Sequence, residues 1–298
     1  MAVAPDQLRG RLLIDHSLDG SDTGHHSATS VHSRFASRRH LRFTGSLLAL
    51  ALVACGDRSA EIPEVGLDSE ADRVLFDRGS TALEESDWRR AREYFVRIRD
   101  NYPQSEFRAA SRLGIGETYE QEGTLEAYVR ALDEFQDFLS LYPTHPRAPY
   151  AQYKVGMVHY SQMRNPERDQ QETLNAIQEF EAFMERYPDA QELIPEVEQR
   201  LRESRNRLSE HNFTVGRFYY RFKTYAGAIS RFRQILDEDP DYTARDEVYY
   251  YLAESLAAVR NEAEALPYFA RILEEFDSSE YAEPAKARIV ELEALQDQ

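Results

Sequence analysis

One three-residue phrase recurs along the chain at fixed internal spacing: alanine, an aromatic residue four positions on, and proline eight beyond that. The copies are Ala91, Phe95 and Pro103; Ala131, Phe135 and Pro143; Ala176, Phe180 and Pro188; Ala228, Phe232 and Pro240. A fifth, degenerate copy reads Ala265, Phe269 and Asp277. Residues four apart share one face of a helix. A small residue one turn before a ring lets a neighbouring helix come close while the ring fills the space between them, and proline cannot continue the helix it follows. Each phrase therefore predicts the second helix of a hairpin together with its stop. Upstream, Gly79, Gly116, Gly156 and Gly216, with Ala253 in the fifth copy, mark the first helix. Glycine costs about 1 kcal/mol in a helix interior, so its recurrence predicts close packing against the partner helix.

The glycine, the alanine–aromatic pair and the terminal proline together resemble the tetratricopeptide repeat. That resemblance implies an all-α fold: a right-handed solenoid of five helical hairpins with a C-terminal capping helix over the last twenty residues, from Ser279 to Gln298. The separation from the first-helix marker to the alanine is 12 residues in copies one, four and five, 15 in copy two and 20 in copy three. The excess predicts insertions near Gln121–Thr124 and Arg164–Gln171, which in such arrays map to loops on one face. Between copies three and four, Glu196 to Asn212 carries Val197, Leu201 and Leu208 on one side and charges on the other, with neither glycine nor proline. It is expected to run into the first helix of copy four as one helix of about 27 residues, ~40 Å long at 1.5 Å per residue.

The amino-terminal end has a different character. Arg34, Arg38, Arg39 and Arg42 precede an apolar run from Phe43 to Ala54, which is well short of the ~20 residues a membrane-spanning helix needs. Basic, then apolar, then small residues is the layout of a secretory signal. The run ends Leu52-Val53-Ala54-Cys55-Gly56 and resembles the bacterial lipobox, which implies cleavage before Cys55 and acylation of its thiol and new amine. Cys55 is the sole cysteine, so no disulfide can form within the chain. A free cysteine is ordinarily a small core residue, but a core residue has no reason to close a basic-then-apolar segment. One acyl chain binds a bilayer only marginally, and two or three make a stable anchor. Gly56, where inner-membrane retention favours aspartate, points to the outer membrane. Residues 1–33, with Asp6, Asp15, Asp19, Asp22, His25 and His26, fit no part of a signal and are expected to lie upstream of the true start.

The expected organisation is thus an extension and cleaved signal over 1–54 and an acylated tether over 55–68. Repeats one to three follow over 69–190, and the long helix, repeats four and five and the cap over 191–298. Removing residues 1–55 takes six basic and four acidic residues from totals of 36 and 53, leaving a net charge of −19. Nucleic-acid binding, which needs a basic stripe to neutralise phosphates, is excluded on that balance. The same excess repels anionic lipid, so the acyl chains rather than the body are expected to hold the membrane. Only His145, His159 and His211 follow Cys55, far apart in sequence. There is no H-E-x-x-H and no G-x-S-x-G, hence no zinc-protease helix and no nucleophile elbow. An enzyme, a metal site and a cofactor are therefore not expected; an extended concave surface for protein binding is.

The lipobox, the tether from Gly56 to Asp68, the five repeats, the long copy-three connection and the long helix before copy four together resemble the BamD (YfiO/ComL) family. These are lipoproteins of the outer-membrane β-barrel assembly machine. The most specific matches are the Tyr-Pro phrases at Tyr102, Tyr142 and Tyr187, and the segment Leu201 to Pro240, with Arg217-Phe218-Tyr219-Tyr220 and Tyr225-Ala226-Gly227-Ala228. The resemblance implies partners: the POTRA domains of the barrel subunit at the carboxy-terminal repeats, other assembly lipoproteins, and unfolded barrel precursors at the amino-terminal repeats. It also singles out Arg231 as a residue of the barrel-subunit face. A lipoprotein of similar build, such as a pilotin for a secretin ring, is the other reading, though it would not need the copy-three insertion. Tyr150, Tyr153, Met157 and Tyr160, three or four apart on the first helix of copy three, form an apolar stripe. Such a stripe ordinarily packs inward; facing a groove, it would suit a precursor peptide ending in aromatic residues.

Overall fold

The computed structural model describes residues 70–296, and every element in that span is an α-helix. In chain order these are α1 (Ala71–Glu84), α2 (Trp88–Asn101), α3 (Arg108–Glu122), α4 (Leu125–Leu141), α5 (Ala148–Tyr160), α6 (Gln171–Arg186), α7 (Ile194–Arg221), α8 (Tyr225–Glu238), α9 (Arg245–Ala258), α10 (Glu262–Glu275) and α11 (Ala282–Gln296). Each packs chiefly on its immediate neighbours, which is the sequential hairpin stacking the repeats predicted. None of these helices is long and apolar enough to cross a membrane.

The repeat phrase acts as expected. Phe135, Phe180, Phe232 and Phe269 are fully buried and Phe95 nearly so. A Cβ placed on Gly79, Gly116, Gly156 or Gly216 would stand 2.5–2.6 Å from the ring of Phe95, Phe135, Phe180 or Phe232 respectively. The glycine is therefore the seat of its own repeat's phenylalanine. Phe95 is held from a second side as well, since a Cβ on Gly114 of the next repeat would also lie 2.6 Å away.

Helix ends follow local chemistry. Asp87 caps α2 by accepting from the Arg90 amide at 3.1 Å, and Thr124 caps α4 by accepting from the Ala127 amide at 3.1 Å. Tyr102, Tyr142 and Tyr187 end α2, α4 and α6 with ψ between 52° and 69°, outside the helical region that a residue before proline avoids, and Phe276 ends α10 in the same way without a proline after it. Inside the hairpins, Ser86, Lys223 and Arg260 adopt φ near +60°, a conformation that only glycine takes without cost. Copy two alone uses a glycine there, Gly123 at φ 70°.

Two expectations need correcting. The extra residues of copy two make no loop: only Gly123 and Thr124 separate α3 from α4, because the added residues continue the helical hydrogen bonding and lengthen α3 and α4. The cap does not begin at Ser279, since α11 starts at Ala282. Ser279 instead donates to Asp246 Oδ2 of α9 at 2.5 Å and accepts from the Tyr281 amide. The copy-three insertion is a true connection, from Ser161 to Gln170, pinned to α7 by Arg207, which donates to the Arg164 carbonyl at 3.1 Å, and by His211 Nδ1, 2.5 Å from the Pro166 carbonyl.

The long helix is α7, 28 residues from Ile194 to Arg221, ~42 Å at 1.5 Å per residue. Val197 near its start packs with Tyr153, Phe180 and Phe183, whereas Phe213 near its end joins Phe232, Leu252 and Phe269. A single element thus serves two hydrophobic clusters.

Candidate partner-binding faces

The stripe on α5 divides between core and surface. Tyr153 is 8% exposed and lies in the cluster of Phe180, Phe183 and Val197, with Met157 and Tyr160 packed against it. Burial and then the Glu196 carboxylate push the Tyr153 phenol up to about 12. The Tyr160 hydroxyl is committed to α7: it donates to Glu203 Oε2 at 2.5 Å, and the Arg200 guanidinium lies 5.1 Å from its ring centre. Burial raises the Glu203 carboxyl, but the hydrogen bonds from Tyr160 and Gln199 and the Arg200 charge outweigh it and hold Glu203 below its ordinary range. Tyr150 bridges two core clusters. Of the four, it is the one that borders an open cavity of about 630 Å³, bounded also by Arg147, Arg186, Tyr187, Pro188 and Leu193. The Arg147 guanidinium sits 4.7 Å from the Tyr150 ring centre, and burial followed by the neighbouring Glu117 carboxylate raises the phenol strongly. The stripe therefore brings α5, α6 and α7 together, with Tyr150 at its open end.

Arg231 lies on α8, one residue before the buried Phe232, and is half-buried. Its guanidinium donates to Asn212 Oδ1 of α7 at 3.1 Å and to Gln234 Oε1 at 3.2 Å. Both acceptors are neutral, so these bonds orient the side chain without cancelling its charge. Cys55 lies outside the described residues.

Two features had little or no signal in the sequence. The long helix is locked to α8 by Asp239, which is 4% exposed. Its carboxylate accepts from Arg202 and, at 2.7 Å, from the Ser209 hydroxyl, both on α7. The only hint was aspartate before proline where copies one to three have tyrosine. The second is the pair Phe218 and Phe222, exposed by 55% and 62% with ring centres 4.6 Å apart. Their i, i+4 spacing was visible, but not that this face of α7 is left uncovered. Among the described residues no cluster of His, Cys, Asp and Glu could hold a metal ion.

Stacked helical hairpins, each closed by a phenylalanine seated on its partner helix, define an all-α helical-repeat scaffold. The chain belongs to the YfiO family of outer membrane lipoproteins, whose model matches residues 68–265. It is therefore an outer membrane lipoprotein of a non-catalytic family. It is 24% identical over 231 residues to the outer membrane protein assembly factor BamD of Caulobacter vibrioides, covering 78% of this chain and 74% of that one. BamD of Rickettsia prowazekii is 24% identical over 65% of this chain and 76% of its own, and that of Neisseria meningitidis serogroup B 24% identical over 63% and 73%. Among solved structures, the TPR2AB domain of yeast Sti1 covers 74% of this chain and 84% of its own at 12% identity and a TM-score of 0.41.

Proposed function

We propose that this chain is an outer membrane protein assembly factor of the BamD kind, anchored through acylated Cys55. Its carboxy-terminal repeats hold the POTRA domains of the barrel subunit, with other assembly lipoproteins in the same complex. Its amino-terminal repeats receive unfolded barrel precursors. The family match across residues 68–265, which covers repeats one to four and reaches into the fifth, is the observation that carries this reading. Arg231 supplies the contact: its fork is oriented by two neutral amides and keeps its charge for a carboxylate across an interface. Tyr150 and the cavity beside it supply the opening for a precursor segment. On this reading the chain divides at α7.

Charge reversal tests the first contact. Arg231→Glu should abolish co-purification of the barrel subunit, because like charges would then face each other at a cost of up to several kcal/mol. Arg231→Met loses the same bond to Asn212 and serves as the control for folding. Matching thermal unfolding in the two variants, with capture failing in Arg231→Glu, supports the contact. Full capture by Arg231→Glu removes it.

A further inference from the structure

The hairpin turn that joins α7 to α8 is locally cationic in an acidic chain. From His211 to Leu236 there is no aspartate or glutamate, while Arg217, Arg221, Lys223, Arg231 and Arg233 all fall in that span, in a chain whose formal net charge is −17. Three of these cations are engaged with neighbouring side chains. Arg217 stacks 4.0 Å from the Tyr251 ring centre, Arg231 donates to Asn212 and Gln234, and Arg233 pairs with Glu264. Arg221 and Lys223 project into solvent, and Lys223 takes φ 59° as the chain reverses. Between and beside them stand Phe218 and Phe222, exposed and in contact with each other. Two adjacent exposed rings flanked by an arginine and a lysine make a surface with an apolar tip and a cationic collar.

We propose that this turn is a second membrane contact: Phe218 and Phe222 enter the interfacial zone of an anionic phospholipid bilayer while Arg221 and Lys223 meet its phosphates. Aromatic rings favour the headgroup region, and basic side chains are drawn to anionic lipid over roughly a Debye length. The chain is an outer membrane lipoprotein, so a bilayer is always within reach. The acidic remainder of the body is repelled by the same surface, so the contact sets an orientation, with the α7–α8 turn toward the lipid. The acyl chains rather than the body still hold the membrane on this view; the expectation rested on total charge, and the turn adds a local contact that total charge does not describe.

Trp88 is the sole tryptophan, which makes the contact directly measurable. The full acylated chain carrying Trp88→Phe and Phe222→Trp is reconstituted into vesicles of phosphatidylcholine with brominated acyl chains, with or without phosphatidylglycerol. A second probe places the tryptophan by Phe218→Trp. In vesicles containing phosphatidylglycerol the emission should shift to the blue and lose most of its intensity to bromine. Adding Arg221→Glu and Lys223→Glu should restore it, while wild-type Trp88 emission stays unquenched throughout. The proposal is overturned if neither probe is quenched, if quenching is the same without phosphatidylglycerol, or if the rings are covered only when barrel-assembly proteins are added, which would make the turn a protein face. Capture of the barrel subunit through Arg231 is read separately and is indifferent to this outcome.

Discussion

At the scale of single residues, the hydroxyl of Tyr160 shows how a side chain that reads as a binding aromatic is enlisted for structure. It donates to Glu203 across the α5–α7 contact, and that bond, with Gln199 and Arg200, outweighs burial to keep the carboxyl below its ordinary range. A carboxyl held low in the folded state adds stability that is complete above its unfolded pKa and is lost as pH falls through the folded value. Tyr160→Phe should therefore cost about 1 kcal/mol at pH 7, below the ~1.5–3 kcal/mol usual for a bond to a charged group because Glu203 is partly exposed. The difference should shrink as pH falls below the ordinary glutamate range of about 4 and on through the lower folded value, until Glu203 is protonated in both proteins. Chemical denaturation across that range checks it; a pH-independent difference would mean that the ring, and not the hydroxyl, matters.

At the scale of the element, α7 is the helix on which the most depends. Its two ends belong to different hydrophobic clusters, and its middle is tied down by Asp239. Asp239→Ala leaves the buried Ser209 hydroxyl without its acceptor and strips Arg202 of its partner. Losing one member of a buried pair costs about 3–5 kcal/mol; Arg202 is about a third exposed and can turn to water, so a loss of about 2–3 kcal/mol is expected in a denaturation midpoint measured at unchanged m-value. An unchanged midpoint would show that α7 and α8 are held by apolar packing alone.

At the scale of the whole molecule, the proposed lipid anchor at Cys55 lies outside the helical hairpins in sequence. Cys55→Ala should abolish acyl labelling and leave the helical content intact, since the hairpins from Ala71 onward owe their packing to residues within 70–296. Fractionation then distinguishes the anchor from the α7–α8 turn: the variant should leave the membrane pellet at high salt, because one cationic turn without acyl chains is screened. Its retention there would exclude Cys55 as the anchor.

How much of this was legible in advance follows from the range of the interactions involved. The alanine, phenylalanine, glycine and proline positions act within one hairpin, through a ring seated on its own glycine and a stop set by proline. The amino-acid sequence by itself therefore determined the all-α repeat, the buried rings and the long α7. What only the tertiary structure decided depends on neighbours distant in sequence. The three residues added to copy two became helix and not loop, because nothing in their packing opposed continued backbone hydrogen bonding. Tyr153 and Tyr160 turned inward because α7 returns 40 or more residues later to place Val197 in the cluster of Tyr153 and Arg200 and Glu203 against Tyr160. Ser86, Lys223 and Arg260 were forced to positive φ by the closure of their hairpins, a demand that residue type does not reveal. Periodicity specifies which side of a helix is apolar, but which apolar side chains stay uncovered, as Phe218 and Phe222 do, is fixed by where the other helices stop.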